Sequence, residues 1–426
     1  MMIPFRDAVA VWWRIGWLSF GGPAGQIALM HRILVEEKRW IDERRFLQAL
    51  NYCMLLPGPE AQQLATYVGW LMHGVRGGVV AGVLFILPGA AIMLALSFAY
   101  VLLGGLPLVD GLLLGVKAAV LAIVVQALVR LGRRALKDWR DVLLALAGFV
   151  ALYAFAVPFP WLVLAAGAIG FVSTRGTVPA DTPAPDTVRR PGTFAAALVC
   201  LLLWLGTVGG LRVALGGDHV LSQIAVFFST VAMVTFGGAY AVLSYIAQQA
   251  VETYAWLAPG EMLNGLGLAE TTPGPLILVT QFVGFLAAQR AAHGGEYALL
   301  AGVAGALLTT WVLFLPSFLW IFAGAPHVER LLHRPRLAGA LTAITAAVLG
   351  VIANLALWFA VNLLFAHSVR IDDFGLALLV PELSSLRPQV LGLAVLALVL
   401  TFALRLGVLP VLGLCAAAGV ALAWPS

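Results

Sequence analysis

Phe20-Gly21-Gly22, Trp40 and Pro57-Gly58-Pro59 return as Phe236-Gly237-Gly238, Trp256 and Pro273-Gly274-Pro275, each member 216 positions after its counterpart and with no gap between. Of the forty aligned pairs from Phe20/Phe236 to Pro59/Pro275, eleven are identical. The register holds further on, after a longer loop in the second copy. Leu87-Pro88 matches Leu315-Pro316, and Lys117-Ala118-Ala119-Val120-Leu121 matches Thr345-Ala346-Ala347-Val348-Leu349, both at an offset of 228. The chain is a duplication in which Gly and Pro interrupt apolar sequence twice per copy. In a membrane protein that pattern points to a transporter with its site between the repeats.

The 426 residues are 62% hydrophobic and 11% charged, outside the balance of a soluble globular protein. Apolar runs of spanning length recur at about 79–103, 111–129, 141–157, 193–211, 297–325, 337–365, 390–404 and 407–424. These lengths predict helices, hence an all-α polytopic membrane protein. The broken segments, about 8–30 and 46–72 and then 219–250 and 261–289, are apolar too, with their breaks in the middle. Cys53, Cys200 and Cys415 stand singly in apolar sequence and read as packing residues. No small-residue cleavage site follows Arg6 and Arg14, so no removed signal peptide is expected. The net charge of +5 needs no nucleic acid, since basic loops orient a membrane protein.

The expected organisation is an N-terminal repeat over 1–173, a linker and joint transmembrane helix over 174–217, and a C-terminal repeat over 218–426. The stretch from Thr174 to Pro185 is polar and Pro-rich, as an exposed linker is. Loop charge gives the orientation. Arg32, Lys38, Arg39, Arg44 and Arg45 crowd one loop, and Arg130, Arg133, Arg134, Lys137 and Arg140 another; both belong in the cytoplasm. Three apolar segments separate them, so one must fail to cross. Segment 46–72, with Pro57-Gly58-Pro59 at its centre, is the candidate for a re-entrant hairpin, tolerable where protein or a wet cavity covers it. If the Phe20-Gly21-Gly22 segment re-enters as well, each half crosses four times, the joint helix once, and half two is inverted. Were the first segments to span, the repeats would be parallel and the loop 326–336 would lie outside, which its arginines disfavour.

A break at Gly-Gly or Pro-Gly-Pro frees backbone N–H groups at the start of the next half-helix, and with the helix dipole these form an anion site without net charge. The predicted substrate-binding set is Gly21, Gly22, Pro23, Gln26, Pro57, Gly58, Pro59, Glu60, Lys117, Gln126, Gly237, Gly238, Thr272, Pro273, Gly274 and Pro275. Gly and Pro also kink helices and permit close packing, so a single break would mean little; four in matched pairs mean more. Lys117 interrupts an apolar run, at a cost of roughly 2.5–3.5 kcal/mol at membrane depth. Either an anionic substrate offsets that cost, or the side chain snorkels or pairs with a carboxylate such as Glu60. Its repeat partner is Thr345. Glu60 can be a proton carrier, a partner for Lys117 or a helix N-terminal charge. Gln126 and its repeat equivalent Asn354 can donate to an oxyanion or to a neighbouring helix. The seven histidines lack metal spacing, and there is no Walker A loop, nucleophile elbow or HExxH, so neither cofactor, metal nor enzymatic activity is expected.

At Phe20-Gly21-Gly22-Pro23-Ala24-Gly25-Gln26, Leu56-Pro57-Gly58-Pro59-Glu60-Ala61-Gln62-Gln63-Leu64, Leu87-Pro88-Gly89 and Gly115-Val116-Lys117, the chain resembles the chromate ion transporter family in its long, two-domain type. The resemblance covers essentially the full length. It implies efflux of chromate across the bacterial inner membrane and chromate resistance, with sulfate and other tetrahedral oxyanions as further substrates. Half two departs from the pattern at Ala239, Leu276 and Thr345, where half one has Pro23, Glu60 and Lys117. The expected partners are the oxyanion and the lipid bilayer, with a homodimer left open. Sulfate uptake by proton symport and an anion channel are the alternatives.

Overall fold

The computed structural model describes residues 3–174, 190–236, 239–327, 334–373 and 376–423. Two compact units form, and each draws on both halves of the sequence. The first comprises Met1–Ala95, Phe171–Ala239 and Thr272–Gly339; the second comprises Leu96–Gly170, Tyr240–Thr271 and Ala340–Ser426.

In the first unit α1 (Phe5–Leu18) buries Ala8, Val11, Trp12 and Ile15, the spacing of one helical face. It stops at Ser19, and Gly21 and Gly22 take positive φ of 85° and 70° before α2 (Gly22–His31) begins with Pro23 in its first turn. A π-turn, Arg32–Glu37, extends α2. The ion pair between Arg14 and Glu37, 3.4 Å apart, sets the end of this second arm beside the first. Continuing to the opposite end would have carried Glu37 tens of ångströms away at 1.5 Å per residue. The Gly-Gly segment is therefore re-entrant.

The Pro-Gly-Pro segment folds back in the same way. The amphipathic α3 (Glu43–Cys53), capped by Asp42 on the Arg45 N–H, leads in. Helix α4 (Glu60–Leu103) leads out. The rings of Tyr52 and Tyr67 lie 5.2 Å apart, so the two arms run side by side from the Pro57-Gly58-Pro59 tip. The backbone leaves helical geometry at His73 and Gly74. Gly69 packs on the Gly77 carbonyl, and Gly82 on Thr66. Residues eight and sixteen apart cannot touch along one straight helix, so α4 is a helical hairpin with its turn at 73–74.

Half two repeats this plan from the opposite end. The start of α1 lies at the 73–74 turn, where His73 bonds the Ile3 carbonyl at 2.8 Å. The joint helix α8 (Thr193–Leu215) starts at the same end, since Arg190 donates to the Leu71 carbonyl and Trp70 to Thr193. It crosses with most of its surface uncovered, as a lipid-facing helix does. Helix α9 (Val220–Val234) then returns antiparallel to it, tied by Ser222 to the Leu211 carbonyl and by Trp204 to Ser229. The halves are thus inverted repeats. A 3₁₀ turn (Leu276–Leu278), α12 (Val279–Ala291) and α13 (Ala298–Gly324) complete the unit, α12 and α13 pairing where Gly284 meets Gly305.

The second unit holds α5 (Pro107–Ala135), α6 (Trp139–Tyr153) and α7 (Phe159–Ser173) from half one. From half two it takes α10 (Ala239–Gln248, of which Tyr240 onward), α11 (Pro259–Thr271), α14 (Pro335–Leu364, of which Ala340 onward), α15 (Pro388–Leu398) and α16 (Val408–Ala423). Helices α5 and α16 approach closely because Gly111, Gly115 and Gly419 face backbone across the contact, where a Cβ would collide. One feature departs from the all-helical expectation. Strands β1 (Ser368–Asp373) and β2 (Leu376–Pro381) pair antiparallel, Ser368 opposite Pro381, in a connection where apolar periodicity stops. The linker expected at 174–185 falls almost wholly outside the described residues.

Candidate functional site

Helix starts carry unpaired N–H groups and the positive end of the dipole. In the first unit a cavity gathers four of them. Its lining includes Pro23 at the start of α2, Pro59, Glu60 and Ala61 at the start of α4, Ala239 at the start of α10, and Pro275, Leu276 and Ile277 at the turn into α12. Gln26, Gly58 and Thr235 complete it. Its free volume of about 20 Å³ is room for one water. A larger anion requires the lining to part.

Two backbone bonds hold the breaks together. The Gly58 N–H donates to the Thr235 carbonyl at 2.8 Å, and the Gly274 N–H donates to the Ser19 carbonyl at 2.7 Å. Thr235 and Gly274 are the repeat equivalents of Ser19 and Gly58, so the pair is reciprocal. Each Pro-Gly-Pro tip docks on the other half's break. The sequence suggested that such N–H groups would be free for an anion; these two are spent on structure, and the first-turn N–H groups of the half-helices remain. Gly58 and Gly274 have φ of 121° and 95°, which explains why glycine stands at both tips.

Gln26 is 1% exposed, and its Nε2 donates to the carbonyls of both Gly274 and Ser19. Its Oε1 has no partner among the described residues. The amide orientation follows from those two carbonyls, leaving an acceptor in the cavity lining. Gln63 ties its own loop by donating to the Pro57 carbonyl at 2.7 Å. Glu60 is half-buried at the cavity wall, with the buried Cys53 thiol as its titratable neighbour. The cavity lining holds no Lys, Arg or His among the described residues.

The other predicted residues lie elsewhere. Thr272 and Pro273 belong to the first unit without lining the cavity, Thr272 being buried. Gly21, Gly22 and Pro57 shape the breaks rather than the cavity wall. Gly237 and Gly238 lie outside the described residues. Lys117 and Gln126 are in the second unit. The Lys117 ammonium lies 3.4 Å from where a Cβ on Gly260 would sit, and the charges acting on it are those of Asp110, Arg387 and Glu261. That surrounding matches snorkelling toward the first turn of α11. The Gln126 Oε1 accepts from Arg130 at 3.3 Å. Asn354 lines a separate cavity of about 70 Å³ in the second unit, with Tyr153, Ser244, Gln248 and Glu252.

One residue pair escaped the sequence reading. Glu270, in the last turn of α11, is 7% exposed and accepts a hydrogen bond from the Tyr240 hydroxyl at 2.6 Å. A carboxylate at a helix C-terminus faces the unfavourable end of the dipole. The signal was there: Glu270 is the lone acidic residue between Glu261 and Glu296, the kind of interruption that singled out Lys117.

Among known proteins, the chromate transporter family model matches residues 6–171 and 222–420. A chromate transport protein of Cupriavidus metallidurans is 31% identical over 82% of this chain and 80% of its own length. One of Pseudomonas aeruginosa is 33% identical over 80% of this chain and 77% of its own. An uncharacterised transporter of Bacillus subtilis, YwrB, is 32% identical over 38% of this chain but 83% of its own length, the size of a single repeat. No solved structure matches. With both halves matched and a third of the residues shared over four fifths of its length, this multi-pass membrane protein belongs to the chromate transporter family.

Proposed function

We propose that this protein is a secondary transporter that exports chromate, a tetrahedral dianion, across the bacterial inner membrane, and so confers chromate resistance. The observation that carries the reading is the convergence of four half-helix starts on one cavity between inverted halves. The names of its relatives supply the substrate. We assign binding to the first-turn N–H groups after Pro23 and Pro59, near Ala239 and after Pro275, with Gly21, Gly22, Gly58 and Gly274 shaping the breaks. Lys117 and Gln126 stand outside this set. We take 1–173 and 218–426 as the two repeats, joined by 174–217.

Potential suffices as the drive. Each charge crossing the membrane is worth about 2.3 kcal/mol per 100 mV, so a dianion leaving a negative interior gains about 4.6 kcal/mol per 100 mV. Purified protein in liposomes, loaded with chromate under a clamped potential, tests the reading. Saturable chromate flux that follows the potential and exchanges against chromate outside is expected. Ohmic, non-saturable current would make it a channel, and the absence of chromate flux would end the proposal.

A further inference from the structure

The cavity that gathers four positive helix ends also contains a carboxylate. Glu60 lines it with no basic side chain among the described residues, and the Oε1 of Gln26, in the same lining, is buried with no donor among them. An anion site with a fixed negative charge in its wall would repel its ligand. An acceptor-only amide oxygen wants a hydrogen that neither a dianion nor a carboxylate brings. Both difficulties vanish when one proton enters with the ligand. Resting on the reading of this cavity as the oxyanion site, we propose that Glu60 takes up one proton for each tetrahedral dianion bound, so that the protein moves oxyanion and proton together with a net charge of one.

The step balances simply. On the loading side the Glu60 carboxylate accepts a proton from water and becomes a neutral carboxylic acid, now a donor within a cavity whose Gln26 oxygen can only accept. On the unloading side the acid returns that proton to water as the dianion leaves. The groups that face Glu60 are the Cys53 thiol on α3 and the Gln26 amide on α2, neither of which carries a charge at neutral pH.

Net charge is read from the potential that stops the flux. In liposomes holding a tenfold chromate gradient at equal pH, a net charge of one gives reversal at about 59 mV, and a net charge of two at about 30 mV. The wild-type protein is expected at the former, and a pH difference of one unit should change the equilibrium chromate ratio about tenfold. The Glu60→Gln variant, permanently neutral, should reverse at the latter and ignore pH. Wild-type reversal near 30 mV without response to pH would overturn the inference while leaving chromate transport standing. Binding provides a readout that needs no transport. Chromate added to the detergent-solubilised wild-type protein in weakly buffered solution at about pH 8 should draw one proton per anion bound. Binding without proton uptake sinks the inference alone, whereas no chromate binding at all sinks the cavity reading and the inference with it.

Discussion

Gly58 donates its backbone N–H to the Thr235 carbonyl at 2.8 Å, and the repeat-equivalent bond runs from Gly274 to Ser19 at 2.7 Å. Inverted halves meet tip to break, twice. The price of an interrupted helix at membrane depth is a carbonyl without a donor, and here each half supplies the donor that the other lacks. Rigid breaks of this kind keep half-helix starts aimed at one point.

Replacing Gly58 with Ala should therefore be far costlier than the same change at Gly21. Both have positive φ, but a Cβ on Gly58 would lie 2.7 Å from Gln63 Nε2 and Ser317 Oγ, while one on Gly21 meets nothing within 4 Å. The expected losses are about 2–4 kcal/mol for Gly58→Ala and about 1 kcal/mol for Gly21→Ala. Chemical denaturation in mild detergent checks the ranking, and equal losses would mean that the tip packing is loose.

Gln26→Leu keeps the volume of the side chain but removes the donor to the Gly274 and Ser19 carbonyls. Stability should fall by about 1–3 kcal/mol, the cost of leaving buried acceptors unmet. Chromate affinity should fall with it, because the tie aligns the half-helix starts. Unchanged affinity in a destabilised variant would confine Gln26 to scaffolding.

Magnitudes favour protonation of Glu60 over repulsion. A dianion roughly 5 Å from a carboxylate costs about 6–7 kcal/mol at an effective dielectric constant of 20. Protonating an ordinary glutamate at neutral pH costs about 3.7 kcal/mol. The smaller cost wins.

Lys117 tests how charge is distributed. Its ammonium sits by Gly260 among Asp110, Arg387 and Glu261 in the second unit. Lys117→Met should leave chromate affinity within about twofold and lower stability by about 1–3 kcal/mol, as lost packing and pairing do. A tenfold weaker chromate Kd, measured by isothermal titration, would restore Lys117 as the substrate's counter-charge.

The duplication, its inversion and the two re-entrant segments were legible in the sequence, because Gly and Pro mark broken backbone and arginines mark the loops. The partners of the breaks were not. That Gly58 would bond Thr235 depends on where an inverted second half returns, and local pattern carries no such distance. The turn inside α4 was legible too, because the apolar segments 46–72 and 79–103 part where the backbone leaves helical geometry at His73 and Gly74. Strands β1 and β2 went unseen, being a short excursion between strong helices. Of the charged candidates, Glu60 lines the cavity next to Pro59, its neighbour in sequence. Glu270 carries no repeat signal, since half one has Met54 at its position.

Glu270 and Tyr240 give the last prediction. Tyr240→Phe removes the donor to a buried carboxyl at the wrong end of a helix, and about 1–3 kcal/mol of stability should go with it. With its donor gone the buried carboxyl is the liability, and half one has the uncharged Met54 at its position. Glu270→Met in the Tyr240→Phe background should therefore recover most of the loss, with a coupling energy of about 1–3 kcal/mol in the double-mutant cycle. Equilibrium unfolding of the four proteins measures it. Additive effects would mean that the hydrogen bond contributes nothing, and recovered stability with lost chromate flux would show that the carboxyl serves transport rather than the fold.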